Sequence, residues 1–173
     1  MDRRPLIILG SARKESDTKK VVDALFDEVD IVRIDLLDQR IENYNYEGNY
    51  STDDNFIHLF DTILEHNKIV FATPVYWYSM SGIMKTFFDR LTDIITKRKE
   101  IGRKMKGKEI YVISVGADNS QPEGFEIPFR STSEYLEMNF ISTFYCKTNN
   151  LDNIKSDGLN FIDKLKSTND TII

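Results

Sequence analysis

Apolar positions along this chain alternate between two patterns. Leu6-Ile-Ile-Leu9 is a short continuous apolar run, as expected of a parallel strand covered on both faces, and Ile69-Val-Phe-Ala-Thr73 and Glu109-Ile-Tyr-Val-Ile-Ser-Val115 predict a third and a fourth strand. Val29-Asp-Ile-Val-Arg-Ile-Asp35 alternates instead and predicts a strand nearer a sheet edge, and residues 140–147 predict a fifth strand. Between these runs the spacing turns helical. Val21, Val22, Leu25 and Phe26 share one face after the N-cap candidates Ser16 and Asp17. Phe56, Ile57, Phe60, Ile63 and Leu64 predict a helix from Asp54. Ile83, Met84, Phe87, Phe88, Leu91, Ile94 and Ile95 give the strongest amphipathic stripe, wide enough for the sheet and a second subunit, or serving the core alone. Further helices are expected over residues 129–138 and from Ser156 or Asp157, the latter carrying Leu159, Ile162 and Leu165.

Five strands alternating with helices predict an α/β fold of three layers around a five-stranded parallel sheet, residues 1–173 forming a single domain. Spacing alone does not fix the strand order. If it is 2-1-3-4-5, the order reverses between the first and third strands, where ligands bind beyond the carboxyl ends. Residues 38–55, with Tyr44, Tyr46, Gly48 and Tyr50, have no convincing period and form the longest irregular connection, a surface excursion or a cover for a ligand or a neighbouring subunit. Residues 117–128 read as a polar loop.

Composition narrows the function classes. Over 173 residues, 40% hydrophobic and 29% charged content is that of a soluble globular protein, and the net charge of -5 argues against a nucleic-acid partner. No stretch approaches the ~20 apolar residues of a membrane span, and the start runs straight into a strand, so no membrane partner and a cytoplasmic location are expected. The single Cys146 excludes an internal disulfide or a cluster built on several thiolates of this chain, and it reads as a small apolar residue at a strand end. His58 and His66 lack a matching carboxylate cluster and read as surface or packing residues. Residues 97–108 hold seven basic residues and one acidic residue, either a solvated face or an attraction for an anionic cofactor.

Two loops carry the chemistry. Gly10-Ser-Ala-Arg-Lys-Glu-Ser-Asp-Thr18 follows the first strand; Ser11, Ser16 and Thr18 supply hydroxyls, Arg13 a cationic fork, and the helix start its free N–H groups. That set suits a terminal phosphate, although hydroxyls could merely cap the helix and the Asp17 carboxylate would repel a phosphate unless it points away. The G-x-x-x-x-G-K-[ST] and G-x-G-x-x-G signatures are absent. After the third strand, Pro74, Tyr76, Trp77 and Tyr78 make a loop with aromatics enough to wall a planar ring, or to pack beside the sheet.

The first loop resembles the G-S-x-R-x-x-S-x-T phosphate loop of the NAD(P)H-dependent FMN reductases of flavodoxin-like fold. Pro74-Val-Tyr-Trp-Tyr-Ser-Met-Ser-Gly82, with Met84-Lys85 and Phe88-Asp89-Arg90, is similar to that family's P-x-Y-x-x-S-x-S-G-x-x-K-x-x-x-D-R. The resemblance covers residues 5–117 well and the remainder in element order. It implies that Ser11, Arg13, Ser16 and Thr18 hold the FMN phosphate, that Pro74, Val75, Tyr76 and Trp77 line the isoalloxazine, and that Ser114 and Gly116 close the opposite side. Two departures stand out: Asp17 where many relatives have asparagine, and no glycine-rich run after Gly116.

The implied activity is hydride transfer from NAD(P)H to FMN, then electron transfer to a small-molecule acceptor: a quinone, a free flavin, a nitro or azo compound, or a metal ion. No acid–base side chain is required. The implied assembly is a homodimer or homotetramer. An FMN electron carrier that does not use NAD(P)H and a flavin-free scaffold are the alternatives.

Overall fold

A computed structural model describes residues 2–148 and 150–167. The chain runs β1 (Leu6–Leu9), α1 (Asp17–Leu25), β2 (Val32–Asp35), α2 (Leu59–Ile63), β3 (Lys68–Pro74), α3 (Gly82–Thr96), α4 (Lys99–Arg103), β4 (Glu109–Gly116), α5 (Ile127–Tyr135), β5 (Asn139–Lys147), α6 (Ile154–Asp157) and α7 (Leu159–Ser167). The strands form one parallel sheet in the order β2-β1-β3-β4-β5. The order reverses between β1 and β3, so both candidate loops leave the sheet at the crevice there.

Alternate residues of the central strands feed two cores. Leu6, Ile8, Ile69, Phe71, Ile110 and Val112 pack with Phe60, Phe87 and Phe129 of α2, α3 and α5. Ile7, Leu9, Val70, Ala72, Tyr111 and Ile113 pack with Val21, Val22, Phe161 and Leu165 of α1 and α7. The apolar runs are thus explained by burial on both faces.

Several boundaries differ from the sequence expectation. The alternating strand shortens to Val32–Asp35 and lies at the sheet edge, as its pattern implied. The helix expected from Asp54 is reduced to five residues, because Asp54 is engaged elsewhere: its carboxylate takes a bidentate hydrogen bond from Arg90 at 2.7 and 3.0 Å and another from the Glu42 N–H. Arg90 is fully buried and also bonds Asp93 at 2.8 Å and the Glu42 carbonyl at 3.0 Å, with its guanidinium 3.5 Å above the Tyr50 ring. This cluster fastens the irregular connection along α3. The basic stretch supplies one short helix, α4. His66 is a packing residue, its Nδ1 2.8 Å from the Arg4 carbonyl oxygen, and His58 is exposed. Among the described residues no helix is long and apolar enough to cross a membrane.

Candidate functional site

At the carboxyl ends of β1, β3 and β4 lies a cleft of about 330 Å³. Its first wall is the loop entering α1. Ser16 caps that helix by accepting from the Lys19 N–H at 3.1 Å, and Ser11, Ser16 and Thr18 are buried around the helix start. Among the described residues, no backbone N–H from Ser11 to Thr18 donates to any group of the protein. Ser11, Arg13, Ser16, Asp17 and Thr18 of this loop line one concavity, with their free amides, three hydroxyls and the positive end of a nine-residue helix. That donor set fits a phosphate monoester.

Arg13 stands at the mouth, largely exposed, with its guanidinium 3.6 Å from the Asp17 carboxylate. Asp17 lines the cleft as well and is shared with Lys20 at 3.2 Å. Two cations therefore draw off the charge that would oppose an anion here. Lys14 is turned to Asp35 and Asp38 and does not line the cleft.

Pro74, Val75 and Tyr76 form the second wall. Beyond them the chain reverses in two residues: Tyr76 and Ser79 exchange backbone hydrogen bonds of 2.9 and 3.0 Å, and Trp77 and Tyr78 have φ of 47° and 66°. Positive φ at both central positions is the geometry of a type I′ hairpin turn, ordinarily filled by Asn and Gly. Here it lifts two large rings out of the protein, Trp77 being 90% and Tyr78 69% exposed.

The third side comes from Val115, Gly116 and Ala117 of β4 and its loop and from Thr148 after β5. The Val75 N–H donates to the Val115 carbonyl at 2.7 Å, and the Thr148 N–H to the Gly116 carbonyl at 2.9 Å, so the second and third sides are joined through backbone.

Of the ten residues singled out from sequence, Ser11, Arg13, Ser16, Thr18, Pro74, Val75, Tyr76 and Gly116 meet in this cleft. Trp77 does not line it, because the turn carries the indole past the rim. Ser114 lies below, two residues down β4, fully buried and with a hydroxyl that has no partner among the described residues. Val115, Ala117 and Thr148 went unnoticed in the sequence; adjacency to Gly116 signalled the first two, and the end of the fifth strand the last. None of residues 38–55 lines the cleft: their tyrosines lie along α3, where Tyr46 is exposed and Tyr50 covers Arg90. Cys146 is buried in the α1–α7 core, where burial pushes its thiol pKa up, and among the described residues no cluster of side chains could hold a metal.

Residues 4–150 match the sequence model of the family described as NADPH-dependent FMN reductase. A Bacillus subtilis (strain 168) protein, YwqN, named for an NAD(P)H-dependent FMN-containing oxidoreductase, is 28% identical over 78% of this chain and 79% of its own. Among solved structures, the Trp repressor binding protein from Bacillus subtilis has a TM-score of 0.72 at 21% identity, over 98% of this chain and 100% of that one. General stress protein 14 from Treponema denticola, solved in complex with FMN, has a TM-score of 0.62 at 15% identity, over 95% of this chain and 98% of that one. At these identities the structural likenesses show a shared fold, the flavodoxin-like one.

Proposed function

The chain belongs to the NADPH-dependent FMN reductase family, and from that premise we propose that it holds FMN in the cleft and passes electrons from NAD(P)H to a small organic acceptor. The observation that carries the site is the row of unengaged amides from Ser11 to Thr18 at the start of α1. With Ser11, Ser16, Thr18 and Arg13 they would bind the terminal phosphate, and Pro74, Val75 and Tyr76 on one side and Gly116 and Ala117 on the other would hold the ring.

When bound, the flavin supplies the hydride-accepting and electron-donating chemistry. The protein's part is to bind, orient and shield. The phosphate loop sets the depth of the ligand, and the β3 and β4 loops flank the ring. No titratable side chain of the cleft is asked to move a proton.

The rim supports a reading of the acceptor class. Tyr76, Trp77 and Tyr78 present exposed aromatic surface beside the cleft, which favours a planar aromatic acceptor such as a quinone, a flavin, or a nitro or azo compound. The same reading includes a cytoplasmic location and a homodimer or homotetramer. The centre of the α3 stripe is spent on the core, but Phe88 and Ile95 stay partly exposed in a groove with Tyr135 and Leu136 that a second copy would cover.

The test is an absorption spectrum of the purified protein with added FMN, recorded before and after anaerobic NADPH or NADH. Bound flavin that bleaches on adding nucleotide is expected. Bands that persist would make the protein an electron carrier, and no bound flavin at all would overturn the reading.

A further inference from the structure

The loop after β4 contains no glycine between Ala117 and Gln121, and its first residue, Ala117, lines one side of the cleft next to Gly116. Its shape is imposed from the neighbouring strand. Thr143, Tyr145 and Lys147, alternate residues of β5, each hold one point of it: Thr143 Oγ1 donates to Gln121 Oε1 at 2.9 Å, Tyr145 Oη to the Asp118 carbonyl at 2.8 Å, and Lys147 Nζ to Asn119 Oδ1 at 2.7 Å. Alternation puts all three on one face of the sheet.

That face is set by an irregularity. Between Ile110 and Tyr111 the β4–β5 register slips: Phe140 pairs with Ile110, but Ser142 pairs with Tyr111, leaving Ile141 as an extra residue. Without that bulge every later side chain of β5 would point the other way, and Ser142, Phe144 and Cys146 would meet the loop instead. With it, Tyr145 lies opposite Ser114, and its hydroxyl packs behind Gly116, where an added Cβ would lie 2.9 Å from Oη and 3.2 Å from Val75 Cβ. Gly116 is therefore pinned between the two walls of the cleft.

We propose that Tyr145, with Thr143 and Lys147, is a positioning residue that holds the β4 loop as the wall for the flavin ring. The proposal rests on the reading of the cleft as an FMN site. The phosphate end is built by a different loop, so the three side chains act on the ring and not on the phosphate. The phenol is suited to a permanent donor: burial, and then the nearby Asp118 charge, raise its pKa, so it stays protonated.

The test compares wild type with Tyr145→Phe and Thr143→Val, each of which keeps the shape of the side chain and removes one hydroxyl. Amide hydrogen exchange of residues 117–121 is measured without ligand, and binding is measured with FMN, riboflavin and inorganic phosphate. Tyr145→Phe is expected to speed exchange in the loop and to weaken FMN and riboflavin by the same factor, about 2- to 10-fold for one lost hydrogen bond, with phosphate affinity unchanged. Thr143→Val should do the same more weakly, its bond being to a side chain. Unchanged loop exchange would overturn the proposal, as would a phosphate affinity that falls with the flavins, since that marks general loosening. A wild type that binds neither flavin would refute the FMN reading and the ring wall with it, whereas flavin binding that is intact in both variants would refute the positioning role alone.

Discussion

The Ser81 hydroxyl donates to the Gly10 carbonyl at 2.6 Å, across 71 positions of sequence. The same oxygen accepts from the Met84 N–H at 3.1 Å as the N-cap of α3, and the Ser81 N–H donates to Thr73 Oγ1 at 3.0 Å. One buried residue thus joins the end of β1 and the start of α3 through its hydroxyl and the end of β3 through its N–H, and so the two loops that form the cleft. Gly10 itself lies close against α3: an added Cβ would sit 2.8–2.9 Å from Met84.

Ser81→Ala removes a helix cap and strands a buried carbonyl. The cost is expected to be about 2–4 kcal/mol, a cap contributing ~1 and the orphaned acceptor ~1–3. Urea unfolding of the flavin-free protein measures it. FMN affinity should fall as well, and Ser81→Thr should restore both.

Arg13 and Asp17 give opposed predictions. Their exposed pair at 3.6 Å contributes little stability in itself. Arg13→Ala should weaken FMN by about 1.5–3 kcal/mol, the range for a charge-assisted hydrogen bond. Asp17→Asn removes the one carboxylate in the cleft lining and frees Arg13, so FMN should bind about 3- to 10-fold tighter, at a loss of ~0.3–1 kcal/mol in helix-dipole stabilisation. Titration at low and high salt separates the two, because the gain from Asp17→Asn should shrink with screening.

Trp77 and Tyr78 occupy left-handed backbone that costs a bulky L residue ~1–2 kcal/mol each. Tyr78→Gly relieves that strain at an exposed position and should raise the unfolding free energy by about 1 kcal/mol. If the rings serve an aromatic acceptor, turnover with a quinone falls in Trp77→Asn while FMN affinity holds. A variant that loses FMN instead would place the indole on the flavin.

Much of this architecture was legible because burial on two faces leaves continuous apolar runs, and because both loops carry their hydroxyls and aromatics in the sequence itself. What was hidden depends on backbone conformation or on charges that look solvated. Trp77-Tyr78 has neither Asn nor Gly to announce a type I′ turn, so its rings were expected inside the cleft rather than at its rim. Ile141 gives no sign of a bulge, although it decides which half of β5 faces the β4 loop. Arg90 sits among helix residues where an arginine ordinarily faces water, and only its burial explains why the helix expected from Asp54 starts late.

That buried arginine is expected to make stability depend on acid through Asp54. Burial alone would raise the Asp54 pKa, but the paired hydrogen bonds from Arg90 and the Glu42 N–H outweigh it and hold the carboxyl below its ordinary value. Burial likewise works against the charge on Arg90, and Asp54 and Asp93 outweigh it there too. A carboxyl with a lowered pKa in the folded state contributes stability that is fully present above its unfolded pKa and is lost as pH falls through the folded value. Stability should therefore hold steady near neutrality and decline below about pH 4. Asp54→Asn is expected to cost about 3–5 kcal/mol at pH 7, since it leaves a buried guanidinium half-paired, and to flatten the decline at low pH. Denaturant unfolding of wild type and variant between pH 3 and pH 7 measures both, and parallel pH profiles would show that Asp54 does not carry the acid transition.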